Sequence, residues 1–219
     1  SVMSQRYGVE VQPDADNDPH GLALRLVGSG RRVLEVGCAT GHLTRHLVAA
    51  GNRVVGVELD AHAAAQARRY AERVHVLDLD VTPLTDHEDA TFDVILLGDV
   101  LEHVREPDAV LADLVRLLER EGRLVISVPH VGHIDVRLHL LEGRWEYQRV
   151  GLLDRTHLRW FTRESLQELL DRAGFTAVRF EPVTRGLGHS LLPIRPELFG
   201  PDLVRILEGD PDVYIYQFV

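Results

Sequence analysis

In this 219-residue chain, the stretch Glu35-Val36-Gly37-Cys38-Ala39-Thr40-Gly41 has the residue types and spacing to do chemistry. Two glycines four positions apart mark a turn whose backbone can approach a ligand with no Cβ in the way. Glu35 would repel a phosphate at that turn but suits a cationic ligand. Glu58 ends the next apolar run. An acid at the carboxyl edge of a strand, beside such a turn, can accept hydrogen bonds from both hydroxyls of a ribose. A dinucleotide fingerprint needs a third glycine at position 42, and His42 stands there instead. The motif therefore asks for a nucleoside with positive charge and disfavours an NAD-linked oxidoreductase. Cys38, the single cysteine, excludes an internal disulfide and suits a reducing cytosol. A nucleophilic role is conceivable for it, but a small residue packed under the turn is the simpler account.

The elements that must position these residues follow one another as strand and helix. Val33, Leu34 and Val36 read as a buried strand, and Leu43, Leu47 and Val48 as the inner face of a helix stopped by Gly51 and Asn52. Val54, Val55 and Val57 form the second strand. Asp60 caps an alanine-rich helix over 61–73, and Val74, Val76 and Leu77 make a third strand ended by Asp78-Leu79-Asp80. Residues 94–97 form a fourth strand, broken at Gly98-Asp99. Helical spacing runs from Pro107 through Leu118 until Gly122 stops it, and 122–129 is the fifth strand. Thr162 caps a helix, 178–183 is the sixth strand, and 213–219 alternates as the last. Residues 184–211 read as an irregular loop with one short helix near 203–207. Asp18-Pro19 reads as a cap and first-turn proline ahead of Leu22, Leu24, Leu26 and Val27. This alternation predicts an α/β fold, organised as a single domain over 1–219.

Hydrophobic residues make up 45% and charged residues 26%, ordinary for a globular protein. The net charge of −10 argues against nucleic acid as a partner. No run of about 18 apolar residues predicts membrane insertion, and no charged-then-apolar signal pattern opens the sequence. A cytoplasmic location is expected.

The acid-and-glycine motif at 35–41 resembles the first motif of the class I S-adenosylmethionine-dependent methyltransferases, with Ala39 in place of the usual middle glycine. The resemblance implies a Rossmann-like fold, a mostly parallel seven-stranded sheet with one antiparallel strand between the fifth and sixth, and helices on both faces. It implies S-adenosylmethionine as cofactor and S-adenosylhomocysteine as product. Cofactor contacts would come from Glu35, Gly37, Ala39, Gly41, Glu58, Leu59, Asp78, Leu79 and Asp99. Asp78 would accept from the adenine amino group, a role that Asp80 could take by a small slip. Residues 101–104, Leu-Glu-His-Val, are common in the ubiquinone-biosynthesis-like branch, where this loop lines the cleft at the methyl group. This makes His103 an acceptor-side candidate. Residues 1–30 would form an N-terminal lid and helix.

The segment 130–162, between the fifth strand and the Thr162 helix, reads as a substrate-facing insertion rich in His, Arg and aromatics. Its Pro-His-Val-Gly-His and Gly-Leu-Leu-Asp-Arg-Thr-His-Leu-Arg-Trp-Phe-Thr stretches resemble a subfamily found with glycosyltransferases and in glycan or natural-product pathways. The likeness extends to residues 14–17 and 216–219; His130 departs from the asparagine expected there. Trp145, Tyr147 and Trp160 suit stacking on a sugar or aromatic ring, and Arg137 and Arg159 suit an anionic part of the acceptor. An alcohol acceptor requires a general base. The candidates are His133 or His157, with Asp154 orienting one of them or acting itself. Asp99, Asp154 and the histidines could bind a metal, but no spacing demands it, and none is expected. The expected function is O-methylation of a sugar or natural-product hydroxyl, the partner being a small molecule such as a nucleotide-linked sugar, with an oligomer open. N- or C-methylation and a non-catalytic nucleoside-binding module remain as alternatives.

Overall fold

The computed structural model describes residues 11–13 and 15–219, so the expected N-terminal lid lies partly outside the described residues. α1 (Pro19–Val27) starts on Asp18, whose carboxylate accepts from the Gly21 N–H at 2.9 Å. β1 (Arg32–Val36), α2 (Thr44–Ala49), β2 (Arg53–Glu58), α3 (Ala61–Ala67), β3 (Arg73–Val76), β4 (Phe92–Gly98), α4 (Pro107–Val115) and β5 (Leu118–Pro129) follow in alternation. α5 (Ile134–Leu141), α6 (Arg163–Arg172), β6 (Pro182–Thr184), α7 (Pro201–Leu207) and β7 (Ile215–Phe218) come after them. The strands form one seven-stranded sheet in the order β3-β2-β1-β4-β5-β7-β6. β7 runs antiparallel to both its neighbours, and β1 to β5 pair in parallel. This is the Rossmann-like methyltransferase sheet that the resemblance implies.

Alternation along the strands explains why they read as unbroken apolar runs. Leu34, Val36, Val55, Val57, Ile95 and Leu97 pack with Val110, Leu111 and Leu114 of α4 and Leu166, Leu169 and Leu170 of α6. The intervening residues Val33, Val54, Val94 and Leu96 pack with Leu22, Ala23 and Val27 of α1 and Leu47 of α2. Helices thus cover both faces, and every strand position in the centre is buried. The strand order reverses between β1 and β4, which opens a crevice at their carboxyl ends.

Four boundaries depart from expectation. α4 ends at Val115, because the Phe92 N–H takes the Leu117 carbonyl at 2.8 Å and Leu118 pairs with Phe92 as β5 begins. A register shift then carries the pairing to Val94 and Arg123. α3 stops at Ala67 rather than running to 73, and β6 shortens to Pro182–Thr184. α5 is new within 130–162. Its Ile134 and Leu138 pack towards Val213, while Val136 packs on Leu152, Leu153 and Leu192. With apolar residues on two sides it has no single stripe for periodicity to reveal.

Gly41 shows how tightly the first turn is seated. Its φ is +84°, and a Cβ there would stand 2.9 Å from the Ala67 Cα. Gly41→Ala should therefore lower stability by at least about 2 kcal/mol, the left-handed backbone alone costing about 1–2 kcal/mol. A lower urea midpoint at unchanged m-value checks it.

Candidate active site

The Gly turn sits on the end of β2, where the Gly37 and Cys38 N–H groups both donate to the Val57 carbonyl, at 2.8 and 3.1 Å. Gly37 has φ +75°, and a Cβ on it would lie 2.6 Å from Val100 in the loop after β4. Ala39 also adopts a left-handed φ, +46°. Its N–H donates to Glu58 Oε2 at 2.9 Å, while the Asp60 N–H donates to Oε1 at 2.8 Å. Two backbone bonds hold the Glu58 carboxylate at the end of β2, and a carboxylate has about four acceptor positions. Capacity therefore remains for two hydroxyls. Cys38 is buried under the turn against Gly56, and burial pushes its thiol well above the ordinary range, as befits an inert packing residue.

A cleft of about 610 Å³ opens above this turn. Glu35, Gly37, Ala39, Glu58, Leu59, Asp78, Leu79 and Asp99 all line it, and His103 stands on its wall. Gly41 lies outside the lining, packed on α3. Leu59 keeps 62% of its surface exposed, an apolar shelf beside an acid that suits a heteroaromatic ring. Asp78 accepts from the Asp80 N–H at 3.0 Å, and Asp80 accepts from the Arg105 N–H at 2.8 Å. Both acids line the cleft.

Charge is handled differently at each buried acid. Glu35 accepts from the Thr44 hydroxyl at 2.6 Å, yet burial pushes its carboxyl up from 4.5 to about 8, with Glu58 adding repulsion. His42, also in the lining, is lowered to about 4, first by burial and then by repulsion from His20, Arg45 and His46. It is a neutral imidazole at neutral pH. Asp99 has φ +54°, and its Oδ1 accepts from the Ser127 hydroxyl at 3.0 Å and from the Gln217 amide. Desolvation raises its carboxyl, and His20 and His103 act against that rise. A left-handed φ is uncommon for a non-glycine residue, and Asp is one of the few side chains that tolerate it.

The structure brings His20, Asp99 and His103 together, whereas sequence reasoning had emphasised His133, His157 and Asp154. His133 does not line the cleft; it caps α5, its Nδ1 accepting from the Asp135 N–H at 3.2 Å and its Nε2 donating to the Arg185 carbonyl at 3.0 Å. Both ring nitrogens are committed to backbone, which leaves none to exchange a proton. Arg137 bonds the Gly132 carbonyl and pairs with Asp210. Arg159 donates to the Arg105 carbonyl and lies 3.9 Å from Glu106. Trp145 packs edge to face on Tyr147 and on Trp160, with ring centroids 6.4 and 5.6 Å apart. None of these three lines the cleft. Asp154 is buried and accepts from the Thr156 N–H and hydroxyl, at 2.8 and 2.7 Å. His157 is buried edge-on to His103, with ring centroids 4.9 Å apart. Thr44, the partner of Glu35, and His20 were missed; only the helix-cap signal at Asp18-Pro19 placed His20 near the cleft.

A family model described as a methyltransferase domain matches residues 14–179. The chain belongs to the class I S-adenosylmethionine-dependent methyltransferases. A probable S-adenosylmethionine-dependent methyltransferase of Mycolicibacterium smegmatis is 29% identical over 169 residues, 76% of this chain and 60% of the relative. The ubiquinone biosynthesis O-methyltransferase of Idiomarina loihiensis is 30% identical over 102 residues, 45% of this chain and 42% of the relative. The chain thus spans less than half the length of the ubiquinone-biosynthesis relatives it matches. Among solved structures, an S-adenosylmethionine-dependent methyltransferase from Archaeoglobus fulgidus superposes with a TM-score of 0.64 at 18% identity, covering 92% of each chain. The 1,6-didemethyltoxoflavin-N1-methyltransferase of Burkholderia thailandensis gives 0.56 at 23% identity, covering 91% of this chain and 73% of that one. These two show the fold. S-adenosylmethionine is the cofactor of the family, and the cleft fits it: the Glu58 carboxylate retains acceptor capacity, Leu59 offers an apolar shelf, and side chains are absent at Gly37. Among the described residues no helix is long and apolar enough to cross a membrane.

The position of Glu35 has a measurable consequence. Between 4.5 and about 8 the folded chain holds a proton on Glu35 that the unfolded chain has released. Stability must then fall as pH rises through that window. Glu35→Gln should remove the slope, with the native chain losing at least about 1 kcal/mol relative to the variant between about pH 5 and about pH 8. Urea unfolding at a series of pH values measures it.

Proposed function

We propose that this chain is an O-methyltransferase acting in the cytoplasm on the hydroxyl of a small molecule, a sugar or another natural product. The observation that carries the reading is the pair of histidines, His20 and His103, within electrostatic range of Asp99 on the cleft wall. Nitrogen acceptors that are already basic do not need such a group; an alcohol does. The name of the ubiquinone-biosynthesis relatives points to oxygen as well.

The bound cofactor supplies a methyl group on a sulfonium, activated for in-line displacement. Glu58 would hold the ribose hydroxyls, Asp78 or Asp80 would accept from the adenine amino group, and Leu59 and Leu79 would offer apolar surface to the ring. Gly37, Ala39 and Gly41 let the backbone run close beneath. Glu35, once ionised, offsets the positive charge of the ligand. His20 takes the proton from the acceptor hydroxyl, and the adjacent Asp99, fixed by Ser127 and Gln217, offsets the imidazolium that results. His20 Nδ1 is buried and has no hydrogen-bond partner among the described residues, with the Asp18 carboxylate 3.9 Å away. The insertion 130–162 forms the outer acceptor surface, with the Trp145, Tyr147 and Trp160 group suited to a sugar face and Arg159 following the cleft residue Leu158 in sequence.

Calorimetric titration with S-adenosylmethionine, S-adenosylhomocysteine and NAD, repeated on Glu58→Ala, tests the cofactor contacts. Both sulfur nucleosides should bind and NAD should not. The variant should bind them at least about tenfold more weakly, since a hydrogen bond to a charged group contributes about 1.5–3 kcal/mol. With a panel of sugar and phenolic acceptors, His20→Gln should cut turnover about 10²–10⁴-fold with S-adenosylhomocysteine affinity kept. Methyl transfer to amines alone, or full turnover in His20→Gln, would overturn the reading.

A further inference from the structure

Glu35 is a buried carboxyl whose surroundings lack the charge it would need in order to ionise. It stands on β1, is 3% exposed and lines the cleft. The Thr44 hydroxyl of α2 donates to Oε2 at 2.6 Å, and Oε1 has no donor among the described residues. Glu58 at the end of β2, Cys38 and His42 around the turn, Asp99 beyond β4 and His20 of α1 are the titratable groups near it. Of these, Glu58 acts on the Glu35 carboxyl, and it repels. A buried carboxylate needs a positive partner or several donors. Among the described residues Glu35 has neither, so the resting chain keeps its proton at neutral pH.

The order of the strands determines what passes over this carboxyl. β1 lies between β2, which ends on Glu58, and β4, which leads into Asp99. A nucleoside whose ribose bonds Glu58 and whose reacting end faces the loop after β4 must cross the carboxyl end of β1. Gly37, two residues beyond Glu35, has no side chain to hold it away. In S-adenosylmethionine the part that crosses carries the sulfonium charge. In S-adenosylhomocysteine the same sulfur is an uncharged thioether, and the amino-acid group is common to both. A cation set over a buried carboxyl favours its ionised form, and an uncharged sulfur does not.

We infer that Glu35 is the residue by which the cleft tells cofactor from product: it gives its proton to solvent when the sulfonium binds and keeps it when the thioether binds. The inference rests on the sulfonium cofactor and the cofactor contacts proposed above, not on the acceptor or on His20. Once the methyl group has left, the positive charge is gone from sulfur and Glu35 takes up a proton again, so an uncharged carboxyl faces an uncharged product. The sign of the pH dependence follows. Below about pH 8 the free chain must lose a proton to bind S-adenosylmethionine. Affinity therefore rises with pH, by at most about tenfold per unit, and levels off above that point. Binding of S-adenosylhomocysteine draws no such dependence from Glu35, and selectivity for cofactor over product grows towards alkaline pH.

Calorimetry of the whole chain at neutral pH, run in two buffers of different ionisation enthalpy, counts the protons released per binding event. Glu35→Gln is the reference, because it keeps an acceptor for the Thr44 hydroxyl and cancels any titration of the ligand's own amino group. S-adenosylmethionine should release close to one proton more from the wild-type chain than from the variant. S-adenosylhomocysteine should release the same number from both, and its binding shows that the variant's cleft is intact. The wild-type ratio of cofactor to product affinity should rise about tenfold or more over the variant's between about pH 6.5 and about pH 8. Equal proton counts for the two chains with S-adenosylmethionine, or an equal extra release with S-adenosylhomocysteine, would overturn the inference and leave the cofactor contacts standing. Failure of both nucleosides to bind the wild-type chain would overturn it together with those contacts.

Discussion

The turn from Gly37 to Gly41 must pass between the loop after β4 and the body of α3, and the rest of the site depends on that fit. Val100 presses on one glycine and Ala67 on the other, so neither position has room for a side chain. The same turn sends the Ala39 N–H to Glu58, which fixes the acid at the end of the neighbouring strand. Backbone strain at Ala39 is held by this packing and this bond together. A cofactor-sized cleft results because the strand order reverses beside the turn, leaving the carboxyl ends of β1 and β4 uncovered.

Around that geometry the chain places three acids with three different solutions to burial. Glu35 has one hydroxyl donor and keeps its proton across much of the neutral range. Asp99 has a hydroxyl and an amide donor and two histidines in range. Neither Glu102 carboxylate oxygen has a hydrogen-bond partner among the described residues, and burial with Asp99 and Asp154 nearby pushes its carboxyl well up. Desolvation acts on all of them alike; what differs is the partner each has been given.

Helix capping accounts for the placement of His133. His133 and Thr162 both precede helices. Thr162 has the composition of a cap and was readable as one, its hydroxyl and that of Ser165 forming a reciprocal pair. A histidine is rarely a cap, so His133 looked like chemistry. Its buried ring instead ties α5 to the Arg185 strand end, and the Asp135 carboxylate, accepting from the Gly188 and Ser190 N–H groups, fastens the same helix to the long loop.

Most of the fold was legible because it depends on local pattern. Apolar runs such as Val54–Val57, glycines where φ must be positive, and Asp60 as a cap each declare themselves within a few residues. The cofactor side was legible for the same reason, since Gly37, Ala39 and Glu58 belong to one strand–turn–helix–strand unit. The acceptor side was not. His20, the Asp99–His103 loop and His157 come from three separate segments, and nothing in their spacing says that a one-turn helix after β4 will meet the loop at 152–159. Tertiary hydrogen bonds, such as those from the Leu158 and Arg159 N–H groups to the Glu102 carbonyl, bring the last two together. Sequence alone determined which nucleoside chemistry the chain is built for, because that information is carried in contiguous backbone geometry. Which histidines face the cleft was decided by long-range packing, because a side chain's role depends on neighbours that the sequence places far away.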